Sequence, residues 1–304
     1  MRKTTLFAFF LCIVFNIFSN DRTLYVDNFS NIIGSPNKED KLLLFAMRND
    51  FKTLILYDLN KVDKIWSLSD PRKNNVLAEF ILKAKTEFNI KNVGASGECA
   101  SFFTNTIHLY NNSRNKPDEK FDIYNLEYEY WSKKASGENG YYCENYLKAN
   151  SSPCNREGSF NFFIENLKEL KKLIKNNTHS IKIDAYVGYY SQKEIELIAK
   201  YSDRLIVQAF GRNPETSFKY AKKNLEHVLN NNSTIKTSIV FSTRMDKMGY
   251  FFKFNDLEKS ESLFFDEMNN YSINFKKNLN LDGFSYHTFS FLEKSVSYYS
   301  YRKN

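Results

Sequence analysis

Past its first twenty residues the chain has no apolar run long enough to cross a bilayer, which takes roughly 20 consecutive apolar residues. No helical span is expected beyond the leader. Four cysteines and four histidines are spread over 304 residues, and none falls into the spacing of a metal motif. No metal and no cofactor is therefore expected. The first strand-like run, "YVDNFSNIIGSP", lacks the glycine-rich turn that cradles phosphates in open nucleotide-binding sheets. Basic residues are not gathered with aromatics into a compact module, which argues against nucleic acid as a partner. No internal repeat, linker or low-complexity tract divides the sequence. One domain is the expectation.

What is present begins with a leader. "MRKTTLFAFFLCIVFNIFSN" sets Arg2 and Lys3 before an apolar run from Leu6 to Phe18, followed by the small residue Ser19. This is the layout of a secretory signal peptide over residues 1–19, with the mature domain over residues 20–304. The apolar run is short for a spanning anchor. Cys12 lies inside it rather than at its end, against a lipid-anchored N-terminus. The chain reads as exported: secreted, periplasmic or held at the cell surface. Losing Arg2 and Lys3 takes the formal charge from +8 to +6, and the lysines are dispersed as on a solvated surface. In an oxidising compartment Cys143 and Cys154, which bracket "CENYLKANSSPC", are the natural disulfide pair. Cys99 is left over as a buried thiol.

Short strand-like runs alternate with longer stretches of helical periodicity. The strand candidates begin at Thr23, Thr53, Asn92, Asp122, Ile181, Arg204, Ile235 and Leu281. Between them lie amphipathic stretches such as "NNVLAEFILKAKTEF", "FNFFIENLKELKKLIKN", "SQKEIELIAKYS", "SFKYAKKNLEHVLNN" and "SLFFDEMNNYSINFKKNL". The tail Leu292 to Tyr301 is read as a closing helix. Eight β/α units in about 280 residues fit a single (β/α)8 barrel, a TIM barrel of the α/β class, which takes roughly 250 residues.

Active sites of such barrels lie at the C-terminal ends of the strands. Those ends carry Asp27, Asp58, Ser96 with Glu98, Glu127 and Glu129, Tyr186 with Tyr189, Gln208, Ser242 and His287. Aromatic faces around carboxylates suit a sugar-binding cleft, where rings stack on pyranoses and acids bond hydroxyls. Taken singly, each is as well explained as a solvated rim residue. The fourth strand, "FDIYNLEYEYW", is harder to dismiss. Asn125, Glu127 and Glu129 sit two residues apart, and strand side chains alternate faces with period two, so all three point the same way. Two neighbouring carboxylates buried together repel each other unless something uses them.

At this point the residues resemble family 18 glycoside hydrolases, the chitinases and endo-β-N-acetylglucosaminidases. That family carries Asp-x-x-Asp-x-Asp-x-Glu on strand four. Here Phe121, Asp122, Glu129 and Tyr130 are in register with it, while Asn125 and Glu127 stand for the two middle acids. "NVGASGE" is similar to the family's Ser-x-Gly-Gly strand, with Ser96 and Gly97 kept and Glu98 at the second glycine. "VQAF" is similar to its Met-x-Tyr strand, with Gln208 and Phe210 at those positions. The eight strands follow in the family's order, so the resemblance covers nearly the whole mature chain.

The resemblance implies a retaining, substrate-assisted cleavage of β-1,4 linkages next to N-acetylglucosamine, a stated exception to the two-carboxylate scheme. Glu129 would be the general acid and Glu127 would orient the 2-acetamido group. Asn125, Tyr186, Tyr189, Gln208, Asp27, Ser96 and His287 would bind substrate, an oligosaccharide or the glycan of a glycoprotein. Phe210 lacks the hydroxyl that the family's strand six supplies, and Tyr186 or Tyr189 is the expected substitute. The short segment between strands seven and eight leaves no room for the inserted module of long-chain chitinases, which favours an endo-acting enzyme. A monomer is expected. Two other readings stay open: a lectin-like barrel that binds glycans without turnover, and a barrel enzyme of another kind.

Overall fold

Every strand candidate alternates between two apolar environments, and that alternation builds the barrel. The computed structural model describes residues 21–231, 234–272 and 278–303. The leader read over residues 1–19 lies outside them. The strands are β1 (Arg22–Val26), β2 (Phe51–Leu56), β3 (Asn92–Gly97), β4 (Ile123–Leu126), β5 (Lys182–Val187), β6 (Arg204–Gln208), β7 (Lys236–Ser242) and β8 (Leu281–His287). All pair in parallel with their sequence neighbours, and β1 pairs with β8 to close the barrel. The fold is the (β/α)8 barrel that the sequence pattern predicts.

One parity of each strand, for example Leu24, Val26, Leu54, Leu56, Ile183 and Val187, packs outward against the helices. The other fills the interior, where Tyr25, Ile55, Ile123, Tyr186, Ile206 and Val240 form their own cluster. Gly94 sits between Ile55 and Ile123, and a Cβ there would lie 2.5 Å from Ile55 Cδ1. At the N-terminal end Arg204 donates two hydrogen bonds to buried Asp184, at 3.1 and 2.5 Å. That ion pair lies across the bottom of the barrel interior, below the apolar cluster.

The helices carry local signals of their own. Ser191 caps Gln192–Tyr201 in a capping box with Glu194, and Asn213 does the same for Pro214–Asn230, with Pro214 at the first turn. Asn155 caps Arg156–Ile174 through Gly158 N–H. The tail forms a helix, Phe289–Lys303, as expected.

Cys143 and Cys154 are bonded, with Cα atoms 5.1 Å apart. The bridge ties the segment carrying Tyr142 and Tyr146 to the start of helix Arg156–Ile174. Cys99 is a free thiol. It is half-buried at the edge of a cleft rather than buried as expected, because it follows the last residues of β3, where the barrel opens. Replacing Cys143 by serine, or reducing the bridge, should cost about 3 kcal/mol for a loop of this length. Urea unfolding with and without reductant measures it, and coincident curves would refute the expectation.

Candidate active site

The strand-four acids owe their direction to the tyrosines between them. β4 ends at Leu126, earlier than the sequence run suggests, because β3 stops at Gly97 and leaves no further ladder partner. The backbone continues extended: Glu127 N–H donates to the Gly97 carbonyl at 2.9 Å. Period two therefore persists as far as Glu129, after which Ser132 N–H donates to the Glu129 carbonyl at 2.9 Å and closes a turn. Tyr128 and Tyr130 are fully buried in the outer layer. There Tyr128 stacks 4.1 Å from Tyr142 and takes a hydrogen bond from Ser159, while Arg156 lies 5.6 Å from the Tyr130 ring. With Tyr128 held outward, Asn125, Glu127 and Glu129 face inward, and the turn that follows lays Trp131 against the interior cluster.

Each inward group has a distinct set of partners. Asn125 is completely buried, accepts from Tyr25 OH at 3.1 Å and donates to Ser96 Oγ at 3.1 Å. Glu127 Oε2 takes a short hydrogen bond from Tyr57 OH and another from Ser96 Oγ at 3.3 Å. Tyr57 OH also lies 3.0 Å from His287 Nε2, which is 3.6 Å from Glu127 Oε1. Glu129 Oε1 accepts from Gln208 Nε2 at 3.0 Å, and Gln208 donates to Tyr186 OH at 3.2 Å. The Glu129 backbone N–H donates to Tyr142 OH at 3.0 Å.

A cleft of about 500 Å³ opens over these groups, lined among others by Tyr57, Glu98, Glu127, Glu129, Tyr142 and Tyr146. Burial first, and the neighbouring Glu127 charge second, push the Glu129 carboxyl above its ordinary range, against the hydrogen bond from Gln208. A carboxyl raised in this way holds its proton to higher pH than a free one, the direction that suits a proton donor. Burial, reinforced by Glu127, also pushes the Tyr25, Tyr57 and Tyr186 phenols well up, so they stay protonated as donors.

Seven expected site residues, Ser96, Asn125, Glu127, Glu129, Tyr186, Gln208 and His287, converge in the mouth. Tyr189 and Asp27 do not. Tyr189 is 46% exposed, with its ring 5.5 Å from the Arg156 guanidinium. It falls on the wrong parity, since Asp184, Tyr186 and Gly188 are the inward positions of that strand. Asp27 accepts from Ser290 N–H at 2.9 Å and from its hydroxyl, so it anchors the first turn of the closing helix.

The structure adds Tyr57 and Trp131, which the sequence reading passed over, and gives Glu98, noted there only at a strand end, a defined place. Tyr57 is foremost, and parity could have found it, because Thr53, Ile55 and Tyr57 share the inner face whereas Asp58 does not. Glu98 takes hydrogen bonds from Tyr141 OH at 2.9 Å and Tyr146 OH at 2.6 Å, forming one wall of the cleft. Trp131 stacks at 6.4 Å on Tyr186. Both Trp131 and Gln208 press on Gly188, where a Cβ would lie 2.5 Å from Gln208 Oε1 and 2.5 Å from Trp131 Cε2. Gly188→Ala should therefore push Gln208 off Glu129 and cost roughly 1–3 kcal/mol through overpacking. A melting curve and kcat, measured together, check it; unchanged values of both would refute it.

The fold and this mouth define the class: a (β/α)8 barrel with a carboxylate-bearing cleft at the C-terminal ends of its strands. No protein-family model matches the sequence, and no curated protein matches it. Among solved structures it is similar to the AHE enzyme from Alicyclobacillus herbarius, at 8% identity over 83% of this chain and 77% of that one, with a TM-score of 0.52. It is also similar to a family 18 chitinase from Crocus vernus, at 15% identity over 93% of this chain and 96% of that one, with a TM-score of 0.47. A 2,3-dimethylmalate lyase of the PEP mutase/isocitrate lyase superfamily gives 9% identity over 93% and 79%, with a TM-score of 0.45. Likeness at this level is likeness of fold.

Proposed function

We propose that this protein is an exported glycoside hydrolase that cuts β-1,4 linkages next to N-acetylglucosamine in an oligosaccharide or a glycoprotein glycan. One observation carries the reading. Glu127 and Glu129 face a single cleft, with the Glu129 carboxyl raised above its ordinary range by burial and by the adjacent charge. In the proposed reaction the acetamido carbonyl oxygen attacks the anomeric carbon as the glycosidic bond breaks. Glu129 gives its proton to the departing oxygen, and Glu127 steadies the charge that develops on the acetamido nitrogen. Water then opens the cyclic intermediate while the Glu129 carboxylate takes a proton back, so configuration is retained. Tyr186 and Gln208 supply polar hydrogens where Phe210 supplies none. Among the described residues no helix is long and apolar enough to cross a membrane. The disulfide accords with an oxidising compartment.

A second reading, a glycan-binding barrel without turnover, draws on one feature. Glu127 is engaged by Tyr57 and His287, and the residue before it in the motif is the neutral Asn125. Release of fluorophore from chitobiosides and of glycan from a high-mannose glycoprotein separates the two. Turnover that Glu129→Gln abolishes supports the hydrolase. Oligosaccharide binding without turnover in the wild type supports the lectin.

A further inference from the structure

We propose that Tyr57 and His287 form a hydroxyl–imidazole relay that positions Glu127 and balances charge in the mouth, the task for which Asn125 has no charge to offer. The relay rests on the hydrolase reading and goes beyond it by assigning two positioning residues.

Hydrogen-bond chemistry fixes its direction. An ionised carboxylate only accepts, and a phenol has one proton to give. Tyr57 gives it to Glu127 Oε2. The phenol oxygen, 3.0 Å from His287 Nε2, must then accept, which makes Nε2 the protonated nitrogen of the neutral ring. The order is imidazole N–H to phenol O–H to carboxylate. Because burial and the Glu127 charge keep the Tyr57 proton in place, this phenol conveys orientation and is not a nucleophile.

The geometry shows why such a relay is needed. Glutamate has one more rotatable bond than aspartate, so an unpinned Glu127 would sweep the cleft. Two donors from neighbouring strand ends, Tyr57 after β2 and Ser96 on β3, hold its Oε2, and His287 on β8 stands 3.6 Å from Oε1 behind Tyr57. When Glu129 gives up its proton, two carboxylates share a partly buried mouth. His287, whose side chain is 25% exposed, can then take a proton from solvent and become imidazolium beside Glu127. When water is split and Glu129 is protonated again, His287 returns its proton to solvent. Charge and protons balance over the cycle.

The titratable groups around His287 allow this. Its ring centroid lies 5.5 Å from Tyr25 of β1, 5.8 Å from Tyr57 and 6.1 Å from Tyr186 of β5, and its Nε2 lies 3.6 Å from Glu127 Oε1. Phe210 closes the remaining side at 6.1 Å. The nearest deeper charges, Asp184 and Arg204, already neutralise each other. No other cation faces the ring among these groups.

The test uses the folded mature protein with Glu127→Gln, Tyr57→Phe, His287→Gln and His287→Ala. An NMR titration of the histidine rings, with the His287 signal identified by its loss in His287→Gln, needs no substrate. Glu127→Gln should lower the His287 midpoint by about one pH unit, because an opposite charge at this range is removed. An unchanged midpoint overturns the relay. In kinetics, Tyr57→Phe should cut kcat by about 100-fold, as loss of a preorganised donor does, with KM within about threefold. The acid limb of the pH profile should move to higher pH, since a carboxylate that loses its donors is more easily protonated. His287→Gln, which keeps an N–H donor, should lose less than His287→Ala. If the wild type turns over no substrate, the hydrolase reading fails and the midpoint alone decides whether the three groups are coupled. If the wild type is active and the variants leave kcat, limb and midpoint unchanged, the relay fails and the hydrolase stands.

Discussion

Glu129→Gln should lower kcat on a natural glycosidic bond by about 1,000-fold, within the range expected for loss of a general acid. The loss should shrink on an aryl glycoside, because a phenolate leaves with little help from a proton. This dependence on the leaving group separates proton donation from misfolding, which would reduce both substrates alike. The same variant carries a stability signature of opposite sign. The Glu129 carboxyl is raised above its ordinary range in the folded state, chiefly by burial and next by Glu127. A raised carboxyl contributes stability that is present below its unfolded value of about 4.3 and is lost as pH rises through the folded one. Glutamine has no such loss. Glu129→Gln should therefore gain melting temperature relative to the wild type between acid and neutral pH. A pH series of melting curves checks it, and a gain that is independent of pH would argue against a strained acid.

Glu127→Gln should lower kcat by at least about 100-fold while leaving oligosaccharide binding largely intact, the pattern of a lost electrostatic stabiliser. Its pH profile should change in a defined direction. The Glu127 charge helps to raise Glu129, so removing it should bring the alkaline limb to lower pH. A profile that keeps its alkaline limb would show that the two acids are not coupled. From the motif alone, Glu127→Asp restores the family's residue and is expected to keep or raise activity. The geometry reverses that sign. A carboxylate one methylene shorter withdraws from Tyr57 and His287, and a displacement of about 1 Å can cost on the order of 100-fold. An active Glu127→Asp would mean that those two contacts serve only the resting protein.

The parity of strand four was readable because burial of Tyr128 and Tyr130 repeats a rule that needs no long-range information. The same rule explains the misreading at β5. Tyr189 was included for its chemistry, although its odd position relative to Tyr186 turns it outward to Arg156. Asp27 has the inward parity, yet it lies where the closing helix begins, and the nearest unsatisfied donors there belong to Ser290. No pattern within "TLYVDNF" announces a residue 263 positions away.

By itself the sequence determined the eight strands, the closed parallel order and the inward set Asn125, Glu127 and Glu129, all consequences of short-range periodicity and of apolar burial on two faces. It also determined the Cys143–Cys154 bridge, since a short loop brings its ends together at small entropic cost. The tertiary structure alone decided which partners each acid has. Closing the barrel sets β1 beside β8 and carries His287 to Tyr57 across 230 positions of chain. It also sets Gln208 against Glu129 across 79. Hydrogen bonds of a few ångströms between distant strand ends depend on the barrel's register and stagger. Those quantities arise from all eight strands closing together and are written in no single one.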